Sequence, residues 1–309
     1  MKVTVLSGGV GGARFLRGLV GVVDPTDVTI VGNVADDIEV LGLRVSPDLD
    51  SILYTLTGLS DEERGWGRAG ETWQALDAVA QLGGEAWFRL GDRDIGLHLV
   101  RTELLRSGVP LSEATERLAH ALGLEAALVP ASDDPIRTFL ETPAGTFAFQ
   151  TWFVARGHRD EVDAVHYTGA PDAQAAPGVV DAIGEADVIL FAPSNPYVSI
   201  GPILAVEEIR TAIEERSAPC VAISPLIDGR AVKGPADRML ARLAGGTTPA
   251  HVAGCYEGLI DVLVVDEADR PEAPIAGLRN TVVTETLMTD ASAARRLAAA
   301  AVHAAGTLT

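Results

Sequence analysis

The sequence predicts an α/β protein built on a parallel sheet. Five β-branched runs of about four residues each lack the polar alternation of half-exposed strands, which is typical of strands buried on both faces. These runs are Val3 to Leu6, Val28 to Val31, Val188 to Phe191, Val221 to Ile223 and Val262 to Val265. Helical patterns lie between several of them, as in βαβ units. We therefore expect a Rossmann-like sheet with helices on both faces.

The middle of the chain, roughly residues 61–165, differs from the two ends. Ser112 can cap a helix whose apolar stripe includes Leu118 and Leu122 and which ends at Gly123, and the alternation from Thr146 to Val154 predicts a strand. We expect one α/β domain over residues 1–309, in which this segment forms a mostly helical insertion covering the carboxyl edge of the sheet.

Composition narrows the classes of partner. The 309-residue chain has a net charge of −19, which argues against a nucleic acid polymer but leaves a mononucleotide open. No run of about 18 apolar residues is present, so we expect no membrane span. The cysteines Cys220 and Cys255 are too few for a disulfide framework, and we expect a reducing, cytoplasmic location.

Polar loops follow the predicted strands, at the edge where open parallel sheets bind ligands. The first loop, Ser7 to Ala13, is rich in glycine, which lets backbone N–H groups approach an anion. Arg14 stands where a dinucleotide fingerprint needs glycine, and no P-loop sequence follows. The loop is either a tight strand-to-helix turn or the phosphate cradle of another family. The nucleotide-binding candidates are Ser7, Gly8, Gly9, Gly11, Gly12, Asn33, Ser194 and Asn195.

Two pairs of aspartates follow in the sequence. Asp48 and Asp50 would face the same way on an extended backbone, and Asp36 and Asp37 end the second loop. Two carboxylates together with phosphate oxygens are a usual ligand set for Mg²⁺. The alternative for the Asp48/Asp50 pair is a solvated acidic turn that caps a helix beginning near Ser51.

Arginine and tryptophan supply further candidates. Arg93 and Arg101 are potential clamps for phosphate or carboxylate, since guanidinium binds both in bidentate fashion. A surface salt-bridge cluster is the alternative. Trp66 and Trp152 are aromatics suited to a flat-ring pocket, although such residues often belong to the core.

These motifs occur in one order along the chain, together with Glu63-Arg64-Gly65-Trp66-Gly67 and Leu90-Gly91-Asp92-Arg93-Asp94. The ordered set resembles the 2-phospho-lactate transferase family of coenzyme F420 biosynthesis over essentially the whole chain. The Glu63 to Gly67 segment looks like the actinobacterial phosphoenolpyruvate transferase branch. The resemblance implies a guanosine diphosphate ester of lactate or enolpyruvate as donor and a deazaflavin acceptor. It also implies GMP as a product, a requirement for Mg²⁺ and a homodimer.

The resemblance also implies residue roles. Asp50 and Arg93 would bind the deazaflavin, and the aspartate cluster would hold the metal. From the residues themselves, Asp48 and Asp50 are our candidates for the metal ligands, and Asp50 is our candidate for the base. Asp36, Asp37, Arg101 and Trp66 are secondary candidates. One departure is visible: the family commonly has Asn-Val-Gly-Asp-Asp, whereas Ala35 replaces that glycine here. A positive φ at Ala35 would strain the loop by about 1 kcal/mol.

Two other functions remain open at this point. A related branch of this fold binds nucleotide sugars and regulates metabolism without catalysis. The glycine loop alone also suggests a nicotinamide oxidoreductase, but the failed fingerprint and the lack of a hydride-transfer arrangement argue against it.

Overall fold

A computed structural model describes residues 1–271 and 274–307. Its strands are β1 (Val3–Ser7), β2 (Val28–Gly32), β3 (Ile38–Val40), β4 (Leu43–Val45), β5 (Ala127–Pro130), β6 (Arg137–Thr142), β7 (Gly145–Ala148), β8 (Ala164–Thr168), β9 (Val188–Phe191), β10 (Cys220–Ile223), β11 (Leu226–Ile227), β12 (Arg230–Ala231), β13 (Val262–Val265) and β14 (Asn280–Val283). Its α-helices are α1 (Gly9–Leu19), α2 (Pro47–Leu56), α3 (Gln74–Gln81), α4 (Asp92–Arg106), α5 (Leu111–Ala121), α6 (Val179–Gly184), α7 (Gly201–Leu204), α8 (Glu207–Glu214), α9 (Ala236–Leu243), α10 (Pro249–Gly254) and α11 (Ala291–Gly306). Among these helices, none combines the length and the apolar character needed to cross a membrane.

The central sheet has seven parallel strands in the order β14-β13-β10-β9-β1-β2-β5. All five predicted runs are strands of this sheet, which confirms them. Successive side chains alternate between two cores: Val5 packs on the side of α1, α2 and α11, and Leu6 on the side of α6, α7 and α8. Helices therefore cover both faces, as the sequence predicts.

The order of the strands reverses at β1, which pairs with β2 on one side and β9 on the other. The chain moves outward from β1 to β2 and later from β9 to β10, so the loops after β1 and β9 diverge. Such a switch point leaves a crevice at the carboxyl edge, where open α/β sheets bind ligands.

Residues 61–165 are more varied than the predicted insertion. Helices α3, α4 and α5 make up most of their regular structure, but β5 joins the edge of the central sheet and β6, β7 and β8 form a separate antiparallel sheet. The sequence missed β5 because the run Ala127–Pro130 is short and sits directly after a helix. The division into a single domain with an insertion stays a prediction.

Candidate active site

The turn between β1 and α1 brings α2 against its backbone. A Cβ atom added at Gly8 would overlap Asp48 Oδ2, and one added at Gly12 would overlap the hydroxyls of Ser7 and Ser194. Glycine is therefore required here for close approach. Gly9 N then donates to Asp48 Oδ1 at 2.7 Å, so the carboxylate lies at the positive end of α1.

Asn33 joins two carboxylates at the end of β2. Its Nδ2 lies 2.9 Å from Asp48 Oδ2 and 3.5 Å from Asp36 Oδ1, and it also donates to Val198 O at 3.3 Å. Gln150 Nε2 donates to Asp36 Oδ2 at 3.1 Å. Asp36 and Asp48 therefore converge on one amide in the buried centre of the site.

Asp48 and Asp50 do not converge. The expectation of an extended backbone is wrong, because α2 begins at Pro47 and both residues lie in its first turn. Proline is favoured at the first helical position, since its fixed φ suits the helix and its missing N–H costs nothing there. Residues two apart on a helix do not share a face. Asp48 consequently faces Gly9 and Asn33, and Asp50 faces Arg101.

Asp50 belongs to a buried ion pair. Arg101 Nη1 donates to Asp50 Oδ2 at 3.0 Å, and Arg101 Nη2 donates to Asp50 Oδ1. Asp50 is 5% exposed and Arg101 is 1% exposed. His98 Nδ1 lies 3.3 Å from Arg101 Nη1, and burial lowers the pKa of His98 to about 4, so its imidazole is neutral. This bidentate ion pair links α4 to α2 beside the Asp36/Asp48 pair.

Burial sets the protonation of the carboxyl groups. It raises the pKa of Asp48 to about 6 against the opposing hydrogen bonds from Asn33 and Gly9. Burial, and next the charge of Asp48, raise the pKa of Asp36 well above its ordinary value. Burial raises the pKa of Asp37 to about 7, although Ser46 Oγ donates to Asp37 Oδ2 at 2.8 Å. The centre thus holds carboxylates whose negative charges are incompletely compensated by protein donors.

The donor set can be tested against Mg²⁺. Within the described ranges, no group of three or more His, Cys, Asp and Glu side chains is arranged to hold a metal. Asp36 and Asp48 nevertheless offer two buried carboxylates around one amide, and Mg²⁺ characteristically takes one or two carboxylates together with phosphate oxygens and water. The oxygen-only chemistry of this pair fits a hard divalent cation.

Comparison with known proteins identifies the family to which the chain belongs. The family model described as 2-phospho-L-lactate transferase CofD matches residues 3–305. The chain belongs to this family. It is 45% identical to a phosphoenolpyruvate transferase of Streptomyces griseus, across 99% of this chain and 98% of the relative. It is 46% identical to one of Kitasatospora aureofaciens, across 96% of each chain. Family membership makes the chain a transferase of coenzyme F420 biosynthesis.

The fold itself also occurs in a solved structure. A UPF0052 family protein of Bacillus halodurans superposes with a TM-score of 0.64, covering 97% of this chain and 98% of its own. Because the two sequences are only 19% identical, this similarity supports the α/β fold alone.

The loop after β9, which carries Ser194 and Asn195, forms hydrogen bonds to neighbouring parts of the chain. Ser194 Oγ donates to Gly8 O at 2.7 Å, which ties the loop after β9 to the loop after β1. Asn195 Oδ1 accepts from Tyr197 N at 2.9 Å, and Asn195 Nδ2 donates to Met239 Sδ at 3.4 Å. The structure therefore places the candidates Ser7 to Gly12, Ser194 and Asn195 in the two loops that flank the β1/β9 crevice, with Asn33 at the end of β2. Their contacts with a nucleotide stay a prediction.

Arg93 lies at the start of α4, between an aspartate that caps α3 and an aspartate that bonds to a side chain of α2. Asp92 accepts from Gln74 N at 3.2 Å and Ala75 N at 3.0 Å, and Asp94 Oδ1 accepts from Tyr54 OH at 2.7 Å. The carboxylates of Asp92 and Asp94 therefore bind groups other than the guanidinium of Arg93. Its exposed guanidinium instead donates to Ala69 O at 3.5 Å.

The remaining candidates separate clearly. Trp66 is 42% exposed at a loop tip, whereas Trp152 is fully buried in the core beside β6 and is not a ligand aromatic.

Within the described residues, positive φ outside glycine occurs at Leu41, His158 and Asp228. Ala35 therefore introduces no left-handed strain into the loop.

Sequence reasoning missed Tyr54, Gln150 and the separate role of Asp94. Tyr54 and Gln150 come from segments without a motif, so only folding brings them to the carboxylates. Asp94 lies inside the Leu90 to Asp94 motif, but the motif alone does not indicate that its carboxylate accepts from Tyr54. For Tyr54, the available signal was its place on the apolar face of α2, where a buried hydroxyl needs a hydrogen-bond partner.

Asp94→Asn is expected to change how stability depends on pH. Burial raises the pKa of Asp94 from 3.8 to about 6, so the stability contributed by its protonated form is present below about pH 4 and is lost as pH rises through about 6. Between about pH 4 and pH 7.5, the free energy of unfolding of the variant should therefore rise relative to that of the wild type by up to about 3 kcal/mol. Urea unfolding across this range measures the difference. Asp77→Asn, an exposed control on α3, should show no such trend.

Proposed function

We propose that the chain transfers a phosphoenolpyruvyl group from a guanosine diphosphate-linked donor to a deazaflavin. The acceptor is the ribityl hydroxyl of 7,8-didemethyl-8-hydroxy-5-deazariboflavin, and GMP is released. A 2-phospholactyl group is the alternative cargo, because it carries the same single carboxylate. The names of the actinobacterial relatives favour the enolpyruvyl group.

The observation that carries this proposal is the buried Asp36/Asp48 pair beside the start of α1, at the switch point of the sheet. The first-turn amides of a helix have no partners within the helix and attract phosphate. A crevice between the loops after β1 and β9 suits an elongated nucleotide. Acidic side chains beside a phosphate site require a cation between them and the phosphate.

We assign that cation as Mg²⁺, held by Asp48 together with Asp36. When bound, the ion neutralises charge on the diphosphate and draws electron density from the phosphoryl oxygens. Asn33 fixes both carboxylates by donating to each, and Gly9 N orients Asp48. Asp50, which the sequence paired with Asp48, supports the site through Arg101.

The reaction in this proposal is an in-line displacement. The ribityl oxygen forms a bond to the phosphorus that bears the three-carbon acid, and the bond from that phosphorus to the GMP oxygen breaks with its electron pair. Such chemistry depends mainly on alignment and on neutralisation of charge. Asp50 was the sequence candidate for accepting the hydroxyl proton. Because both Asp50 oxygens bond to Arg101, this role requires one of those bonds to open.

Mass spectrometry of the reaction products tests the proposal. The purified chain is incubated with deazaflavin, Mg²⁺ and either donor, and we expect a phosphodiester-linked deazaflavin together with GMP. Product from the lactyl donor alone would reverse the assignment of the cargo. Absence of product from both donors, combined with tight binding of a nucleotide sugar, would favour the non-catalytic regulator. A cytoplasmic location and a homodimer are also parts of this proposal.

Arg93→Lys is expected to weaken deazaflavin binding or slow transfer by about 1 to 3 kcal/mol, the value of a charged hydrogen bond. Lysine keeps the charge but loses the planar fork of guanidinium. Deazaflavin fluorescence titration and parallel calorimetry with GDP separate the two ligands. Equal losses for both would place Arg93 at the diphosphate, and no loss for either would make it a surface residue without a binding role.

A further inference from the structure

The loop after β2, which carries Asp36, is bordered by the antiparallel sheet of β6, β7 and β8. Thr138 N, in β6, donates to Ala35 O at 2.8 Å. Gln150, which follows β7, donates through Nε2 to Asp36 Oδ2 at 3.1 Å and to Asp36 O at 3.3 Å. The antiparallel sheet therefore supplies one wall of the carboxylate centre.

Gln150 is the main hydrogen-bond donor to the Asp36 carboxylate. Asn33 Nδ2 faces three oxygens: Asp48 Oδ2 at 2.9 Å, Val198 O at 3.3 Å and Asp36 Oδ1 at 3.5 Å. An amide nitrogen carries only two hydrogens, and the contact with Asp36 is the longest of the three. Gln150 Nε2 lies closer and bridges the carboxylate and the main-chain oxygen of Asp36, which fixes the direction of the carboxylate.

The backbone that carries Gln150 is itself firmly held. The residues after it form a π-helical turn, Thr151–Ala155, and Arg156 N donates to Thr151 O at 3.0 Å. Trp152, within this turn, is fully buried and packs in the same apolar cluster as Val198, whose carbonyl accepts from Asn33. Such turns are rare and are frequent at functional sites. Gln150 is thus a buried amide on a fixed segment, with few alternative positions.

We propose that Gln150 is a positioning residue that favours Mg²⁺ at the Asp36/Asp48 pair by holding the Asp36 carboxylate in one orientation. This inference rests on the proposed function. Mg²⁺ demands short bonds in a nearly ideal octahedron, whereas Ca²⁺ accepts longer bonds and variable geometry. Groups that orient metal ligands by hydrogen bonds control metal affinity. An Asp36 carboxylate that is free to rotate therefore loses more affinity for Mg²⁺ than for Ca²⁺.

The experiment compares Gln150→Met with the wild type by calorimetry, with GDP present as a stand-in for the phosphates of the donor. Methionine is close to glutamine in size but lacks the amide donor. We expect the Kd of Mg²⁺ to rise about 10- to 100-fold and the Kd of Ca²⁺ to rise by a clearly smaller factor. Titrations into GDP alone correct for ions held by the free nucleotide. Steady-state kinetics should show a larger rise in the KM for Mg²⁺ than fall in kcat at saturating Mg²⁺.

A matched control comes from the same chain. Gln81→Met makes the identical substitution at an exposed position of α3 and should bind both ions like the wild type. Thermal melts report whether each variant is folded. If Gln150→Met unfolds, Gln150→Asn gives an independent test. Its amide is one methylene shorter and falls short of Asp36 Oδ2, so it should show the same preferential loss of Mg²⁺ affinity.

The outcomes separate this inference from the proposed function. Unchanged affinity for Mg²⁺ in a folded Gln150 variant, or equal losses for Mg²⁺ and Ca²⁺, overturns the positioning role. Product formation by the wild type then leaves the proposed function standing. A wild type that binds neither ion in the presence of GDP overturns the metal assignment together with this inference. If that wild type also forms no product from either donor, the proposed function falls as well.

Discussion

Asp48→Asn is expected to lower the rate of transfer by about 10²- to 10⁴-fold, the range for losing charge stabilisation in a transition state. Asp48 lies between Gly9 N and Asn33 Nδ2, facing Asp36. The substitution removes the negative charge of the carboxylate that we propose as a ligand of Mg²⁺. It leaves an amide oxygen that can still accept from Gly9 N. The fold should therefore persist while activity is lost.

Steady-state kinetics at several Mg²⁺ concentrations measure the effect, and thermal melts confirm folding. Excess chelator should abolish turnover by the wild type, and added MgCl₂ should raise its melting temperature but not that of Asp48→Asn, because a bound ion stabilises the folded state. Asp77→Asn, on the exposed surface of α3, serves as the charge-matched control. Full activity in Asp48→Asn, or in chelator, would refute the metal assignment.

Arg101→Met is expected to destabilise the fold by about 3 to 5 kcal/mol, because it leaves the charge of Asp50 buried without its partner. Both side chains are almost completely buried, and the pair joins α4 to α2. Asp50→Leu should cost a similar amount by isolating Arg101. The double variant Asp50→Leu/Arg101→Met should recover most of the loss, since apolar groups of similar volume can replace a buried ion pair.

Denaturant unfolding of the four proteins gives the coupling energy of the pair. Arg117→Gln, which breaks an exposed pair with Glu113, should cost less than about 1 kcal/mol. The double variant also tests the role of Asp50. If it is stable yet inactive, Asp50 contributes chemistry; if it is stable and retains substantial transfer activity, Asp50 only positions α2. Additive losses in the double variant would contradict the buried-pair model.

The sequence by itself determined the sheet. Val3 to Leu6 and the other runs lack the polar alternation of half-exposed strands, which is typical of strands buried on both faces, and that pattern depends on local chemistry. The ordered motifs likewise sufficed to identify the family, because several separated motifs in one order are far more specific than any single motif. The glycines of the first loop were recognisable for a similar reason, since close backbone approach leaves a compositional trace.

Only the tertiary structure decided which side chains meet. Pro47 begins α2 one turn before the sequence pattern placed its start, so Asp48 turns toward Asp36 and Asp50 toward Arg101. A rotation of about 100° per residue separates side chains that an extended strand would align. Arg101 follows Asp50 by 51 positions along the chain, and no local pattern encodes that contact. Pairing across such distances depends on how α2 and α4 pack, and packing is a property of the whole fold.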